Sequence, residues 1–92
     1  MPKRSKLEML ADIISVIQKK NGKAKPTHIL YGANLSYTTM KECLSLLLQK
    51  NLIKKVKEGN RTYYVATRKG YEFLNEFRRL KKFTEAFGVS FD

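Results

Sequence analysis

One cysteine, Cys43, stands among the 92 residues, so no internal disulfide can form. That excludes a disulfide scaffold and fits a reducing compartment. One histidine, His28, has no cysteine or carboxylate partners around it, and surface or packing duty is expected of it rather than metal binding. The chain contains no glycine-rich phosphate loop, no paired catalytic carboxylates and no serine and histidine constellation. These absences argue against an enzyme and leave no cofactor or metal to expect. No apolar run approaches the roughly 20 residues that a membrane span needs, and Met1 to Lys6 leads into no signal-peptide apolar core. The expected location is therefore the cytoplasm, away from membranes. Ninety-two residues make one domain with a modest core, too small to add an enclosed pocket for a small-molecule substrate.

Acidic residues are scarce too: 8 Asp and Glu stand against 19 Lys and Arg, a net charge of +11. Such an excess implies a polyanionic partner. Residues 1 to 71 hold 15 basic and 4 acidic side chains, whereas 72 to 92 hold 4 of each. The N-terminal part therefore carries the whole excess.

Ser5 and Glu8 have the spacing of a capping box, and Leu7, Leu10, Ile13, Ile14 and Ile17 recur at helical intervals. The pattern predicts a first helix up to Lys20, closed by Asn21 and Gly22. Lys23 to Pro26 reads as a connector or one short strand, and a second helix follows from Thr27 to about Ala33. Asn34 and Leu35 make a turn. Ser36 then caps a third helix whose buried stripe is Met40, Leu44, Leu47 and Leu48, with Cys43 beside it as an apolar filler. Asn51 suits the left-handed position that ends this helix, with Leu52 packing back. A strand through Val56, a turn at Glu58, Gly59 and Asn60, and a strand back through Tyr64 complete a basic hairpin. The predicted fold is mainly α with a small β hairpin, a winged helix-turn-helix over residues 1–67, followed by a C-terminal dimerisation helix over 68–92.

The string YGANLSYTTM at Tyr31 to Met40, with Tyr64 and TRKG at Thr67 to Gly70, closely resembles the archaeal ten-kilodalton winged-helix DNA-binding proteins often grouped with chromatin proteins. The likeness runs from the opening KRSKLE to about Leu80. It implies double-stranded DNA as partner and a homodimer with two DNA-binding heads, joined by an antiparallel coiled coil of the helix after the wing. The FGVSF ending implies a coiled coil shorter than the family's longest examples.

Apart from resemblance, Phe73, Phe77, Leu80, Thr84 and Phe87 alternate in steps of four and three, as a coiled-coil seam does. Charged residues clothe the other faces. A helix from Arg68 to Ala86 runs about 28 Å at 1.5 Å per residue, longer than a head of this size covers. Residues from Phe77 onward are therefore expected to meet another chain.

In a winged helix the third helix enters the major groove, and its exposed face offers Thr38, Thr39, Glu42, Ser45 and Gln49, with Lys41 at the border. These are mild readers of base edges. Phosphate contacts have more candidates: Lys3, Arg4 and Lys6 before helix one, Lys23 and Lys25 before helix two, and Lys54, Lys55, Lys57 and Arg61 on the wing. Affinity driven mainly by the DNA backbone is expected, either as a nucleoid-associated architectural protein or as a transcriptional regulator. A protein-interaction winged helix and an RNA binder are the alternatives; the latter needs a platform of exposed aromatics. Tyr31 and Tyr37 are expected in the core, with a phosphate contact as the minor option. Tyr63 is expected on the exposed side of its strand, as a DNA or dimer contact. Leu46 falls near the polar face without an evident reason.

Overall fold

The computed structural model describes residues 4–89. Its elements in order are α1 (Lys6–Lys19), β1 (Lys23–Ala24), α2 (Pro26–Gly32), α3 (Tyr37–Gln49), β2 (Ile53–Glu58), β3 (Arg61–Ala66) and α4 (Arg68–Ala86). Local rules set most of these boundaries. The Ser5 hydroxyl accepts the Glu8 amide at 3.1 Å while the Glu8 carboxylate accepts the Ser5 amide at 3.3 Å, the reciprocal capping box. Ser36 accepts from the Thr39 amide, and Thr67 accepts from the Gly70 amide. Each such cap stabilises its helix by about 1 kcal/mol. Asn21, Asn34 and Asn51 close α1, α2 and α3 in the left-handed region, at φ 61°, 52° and 59°. Asparagine tolerates that region better than other non-glycine residues do.

Two boundaries differ from the sequence expectation. Helix α2 starts one residue early, at Pro26, because a proline at the first helical position loses nothing by lacking an amide hydrogen. The wing turn has two central residues rather than three: Glu58 pairs with Arg61, and Gly59 takes φ 63° at the first central position. That is where a tight hairpin turn favours glycine.

The hairpin gains a third strand. β1 pairs antiparallel with β3, giving the sheet order β1-β3-β2, with Ala24 opposite Tyr64 and Ile53 opposite Ala66. Opposed residues share a sheet face. The face holding Ala24, Ile53, Tyr64 and Ala66 packs on the helices and continues outward as Lys55, Lys57 and Thr62. Ile13, Ile14 and Ile17 of α1, Ile29 of α2 and Leu47 of α3 fill the centre. On α3 the buried residues are Met40, Cys43, Leu44 and Leu47; Leu48 is half-buried, and Leu46 packs half-buried against the core, which accounts for its apolar character. Burial pushes the Cys43 thiol pKa up.

The first half of α4 adds Leu74 and Phe77 to this same core. It reaches the core by close backbone approach. A Cβ placed on Gly70 would lie 2.0 Å from the carbonyl oxygen of Leu52, which also accepts the Thr67 amide at 3.0 Å. Among the described residues no helix is long and apolar enough to cross a membrane.

Candidate nucleic-acid interface

Burial of Met40, Cys43, Leu44 and Leu47 turns the opposite face of α3 outward, and Thr38, Lys41, Glu42, Ser45 and Gln49 are all exposed there. Thr39 is half-buried, its hydroxyl accepting from the Ser36 hydroxyl at 2.9 Å. Glu42 is partly offset by Lys6, whose ammonium stands 4.0 Å away. The face is polar and nearly neutral, suited to docking against a groove more than to drawing charge.

Cation density lies on the wing. Lys54, Lys55, Lys57 and Arg61 are exposed, and none of the four enters a side-chain hydrogen bond or salt bridge among the described residues. Lys55 and Lys57 prolong the core-facing side of the sheet; Lys54 and Arg61 take the other side. Arg61 also borders an open cleft of about 270 Å³ with Lys25, Pro26, Thr27 and Thr62. Half-buried Lys25 therefore faces the wing, while its own amide donates to His28 Nδ1 at 3.3 Å. His28 is thus a capping side chain of α2.

Two expected phosphate ligands are instead committed within the fold. Arg4 donates from Nη1 to Asp12 Oδ2 and to the Ala33 carbonyl, and from Nη2 to the Asn34 carbonyl, all at 2.7 Å. A planar guanidinium serves three acceptors where an ammonium could not match the geometry. Arg4 straps α1 to the turn between α2 and α3 and sits at the negative end of α2. It fixes how α3 is presented. Lys23 is tied to both oxygens of Glu58, at 2.9 and 3.0 Å, and lies 4.6 Å over the Tyr63 ring. The Glu58 hydrogen bond raises the Lys23 pKa. This clasp holds the wing against β1 and neutralises the one acid of the hairpin. Tyr63 is accordingly half-buried under a cation rather than open. Lys3 lies outside the described residues.

The aromatic assignments need larger correction. Tyr31 and Tyr37 are 79% and 63% exposed, not core residues. Tyr31 follows buried Ile29 by two positions, about 200° round a helix, which the period itself places outward. Tyr37 lies at the outer end of the α3 stripe, beyond the reach of the core.

On α4 the expected seam divides. Phe77 and Thr84 are buried within the chain, the Thr84 hydroxyl donating to the Lys81 carbonyl at 2.8 Å, and Phe73 is half-buried. Leu80 is 44% and Phe87 70% exposed. Phe83, missing from the expected seam, is 59% exposed with its ring centroid 4.8 Å from that of Phe87. Its spacing of three from Leu80 and four from Phe87 is the signal that points to it. A cleft of about 180 Å³ between Leu7, Phe73, Phe77 and Leu80 adjoins this strip.

Residues 3–85 match the winged helix-turn-helix family across nearly the whole fold just described. The chain belongs to the winged helix-turn-helix family. Comparison with curated proteins finds no match. Among solved structures, this winged helix is similar to Sso10a-2, a DNA-binding protein from Sulfolobus solfataricus, at TM-score 0.83 and 24% identity, covering 91% of this chain and 85% of that one. It is also similar to F93 from STIV, a winged-helix DNA-binding protein, at TM-score 0.74 and 12% identity, covering 87% and 92%. A MarR family transcriptional regulator from Silicibacter pomeroyi aligns at TM-score 0.73 and 18% identity, with 86% of this chain on 53% of that one. At these identities the similarity is one of fold.

Proposed function

We propose that this winged helix binds double-stranded DNA as a homodimer, with α3 in the major groove, the wing along the phosphate backbone, and affinity that is mainly electrostatic. The observation that carries the reading is the set of four exposed wing cations, Lys54, Lys55, Lys57 and Arg61, whose acid neighbour Glu58 is already paired with Lys23. Cations held close without acids repel one another unless a polyanion lies alongside. Sso10a-2 and F93 are described as DNA-binding proteins, which supports the reading. The mild groups on α3 favour backbone-driven binding with limited sequence preference, the behaviour of a nucleoid-associated architectural protein more than of a site-specific regulator.

Anisotropy titrations with a candidate promoter duplex, a random duplex and a single strand, all at one salt concentration, test this. The expected result is tight binding to both duplexes, steeply weakened by salt, with a ratio near unity. A ratio above roughly a thousand would make the chain a site-specific regulator, and preference for the single strand would replace DNA duplex with RNA-like partners. No salt-dependent binding to any of them would remove the reading in favour of a protein-interaction module.

The dimer is assigned to the exposed strip of Leu80, Phe83, Phe87 and Val89, an apolar surface larger than isolated exposed side chains leave. Replacing Phe83 and Phe87 with Glu is expected to give monomers whose melting temperature stays within a few degrees, because neither ring is in the core. Phe77→Glu is the wrong test, since it would place a charge in the core. A wild-type chain that sediments as a monomer at micromolar concentration would sink the dimer.

A further inference from the structure

Tyr37 is the first residue of α3, at the outer end of its buried stripe. It is 63% open, while Met40, one turn on along the same stripe, is buried. Singly exposed aromatics are ordinary on a protein surface, but a tyrosine at the leading turn of the helix assigned to the groove puts a phenol donor where DNA phosphates would pass. One contact singles this ring out. The Lys41 ammonium lies 5.4 Å from the Tyr37 ring centroid, so a cation covers the ring. Tyr64 of β3 has its pKa raised by burial and, secondarily, by Tyr37. Lys55, directly opposite Tyr64, belongs to the same side of the sheet.

We infer that the Tyr37 hydroxyl and the Lys41 ammonium together form a phosphate clamp on duplex DNA, at the leading turn of α3. This rests on the duplex-binding reading and adds to it a phosphate contact from the leading turn of α3. Lys41 covers one face of the ring and the bases of a duplex are already stacked, so the hydroxyl is the working group. A phenol donating to an anionic oxygen makes a short, charge-assisted hydrogen bond, and the lysine supplies the matching charge beside it. The cation also limits the rotamers of Tyr37 before DNA arrives, so less freedom is lost on binding. Tyr31, though more exposed, has no such cation among the described residues and lies on α2.

The test uses the full chain and a random duplex, with anisotropy read over a salt series. Tyr37→Phe is expected to weaken binding about tenfold, the size of a hydrogen bond to a charged group, and to leave the salt slope unchanged, because a neutral donor releases no counterion. Lys41→Ala is expected to weaken binding and lower the slope by about one unit. The chain has no tryptophan, so Tyr37→Trp places a single indole reporter at this position, and its emission should change on adding duplex. Unchanged affinity of Tyr37→Phe, together with an indole emission that duplex leaves unaltered, overturns the clamp. If the wing variants still weaken binding in that case, duplex binding itself stands. If no variant alters binding, the duplex reading fails as well. Circular dichroism of each variant excludes misfolding, which an exposed position should not provoke.

Discussion

Replacing Gly70 with alanine should lower the melting temperature by roughly 8–16 °C, more than the same change at any other glycine of this chain. The added Cβ would meet the Leu52 carbonyl oxygen at 2.0 Å and its carbon at 3.1 Å. Both are backbone atoms, and that backbone is pinned by the Thr67 amide on the same oxygen. Overpacking against a side chain that can swing away costs about 1 kcal/mol, and against atoms that cannot, about 3 kcal/mol. Alanine in a helix regains at most about 1 kcal/mol of propensity over glycine, so the clash wins. In a domain of this size each kcal/mol shifts the melting temperature by about 4–8 °C. Gly59→Ala is the contrast: nothing lies within 4 Å of the added carbon, and the cost is that of φ 63° alone, about 1 kcal/mol. Thermal melts followed by circular dichroism compare the two. Equal and small shifts would mean that α4 is not seated on the end of α3 as described.

That contrast also marks where sequence reasoning reaches and where it stops. Capping by Ser5, Ser36 and Thr67, and the left-handed asparagines at 21, 34 and 51, obey rules that span three or four residues, so helix ends are readable from neighbours alone. The TRKG run is recognisable as a pattern, but the reason for its glycine is a carbonyl 18 residues earlier in the chain. Arg4 and Lys23 look like free cations in the sequence for the same reason. Their partners lie 29, 30 and 35 positions away, at Ala33, Asn34 and Glu58, and nothing local announces those contacts. Phe77 and Phe83 depart from expectation on different grounds. The seam has two readings at steps of three and four, and the fold covers Phe77 and leaves Phe83 exposed. The exposure of the wing cations, by contrast, is legible from a strand pattern next to a tight turn.

Replacing Lys55, Lys57 and Arg61 together with alanine should weaken binding to all duplexes by similar factors. If each makes one phosphate contact, the salt slope falls by about 2.7 units, and at about 0.1 M salt that amounts to roughly 500-fold in affinity. The three side chains are exposed and have no ion-pair or hydrogen-bond partner among the described residues, so the fold should be unaffected. Arg4→Ala supplies the control: it breaks three hydrogen bonds at 2.7 Å, lowers stability, and by loosening the turn before α3 weakens binding, yet leaves the slope intact because Arg4 faces Asp12 and backbone carbonyls. Lys23→Ala acts in a third way, since it releases Glu58 to stand unpaired beside the wing cations and should weaken binding by repulsion. Replacing Thr38, Thr39 and Ser45 should alter preference among sequences and keep the slope, because uncharged groups release no counterions. A slope that drops with the α3 set and holds with the wing set would reverse the roles of helix and hairpin. In that event the cations of the hairpin would have to face something other than DNA, and the cleft beside Arg61 and Lys25 would be the first place to look for it.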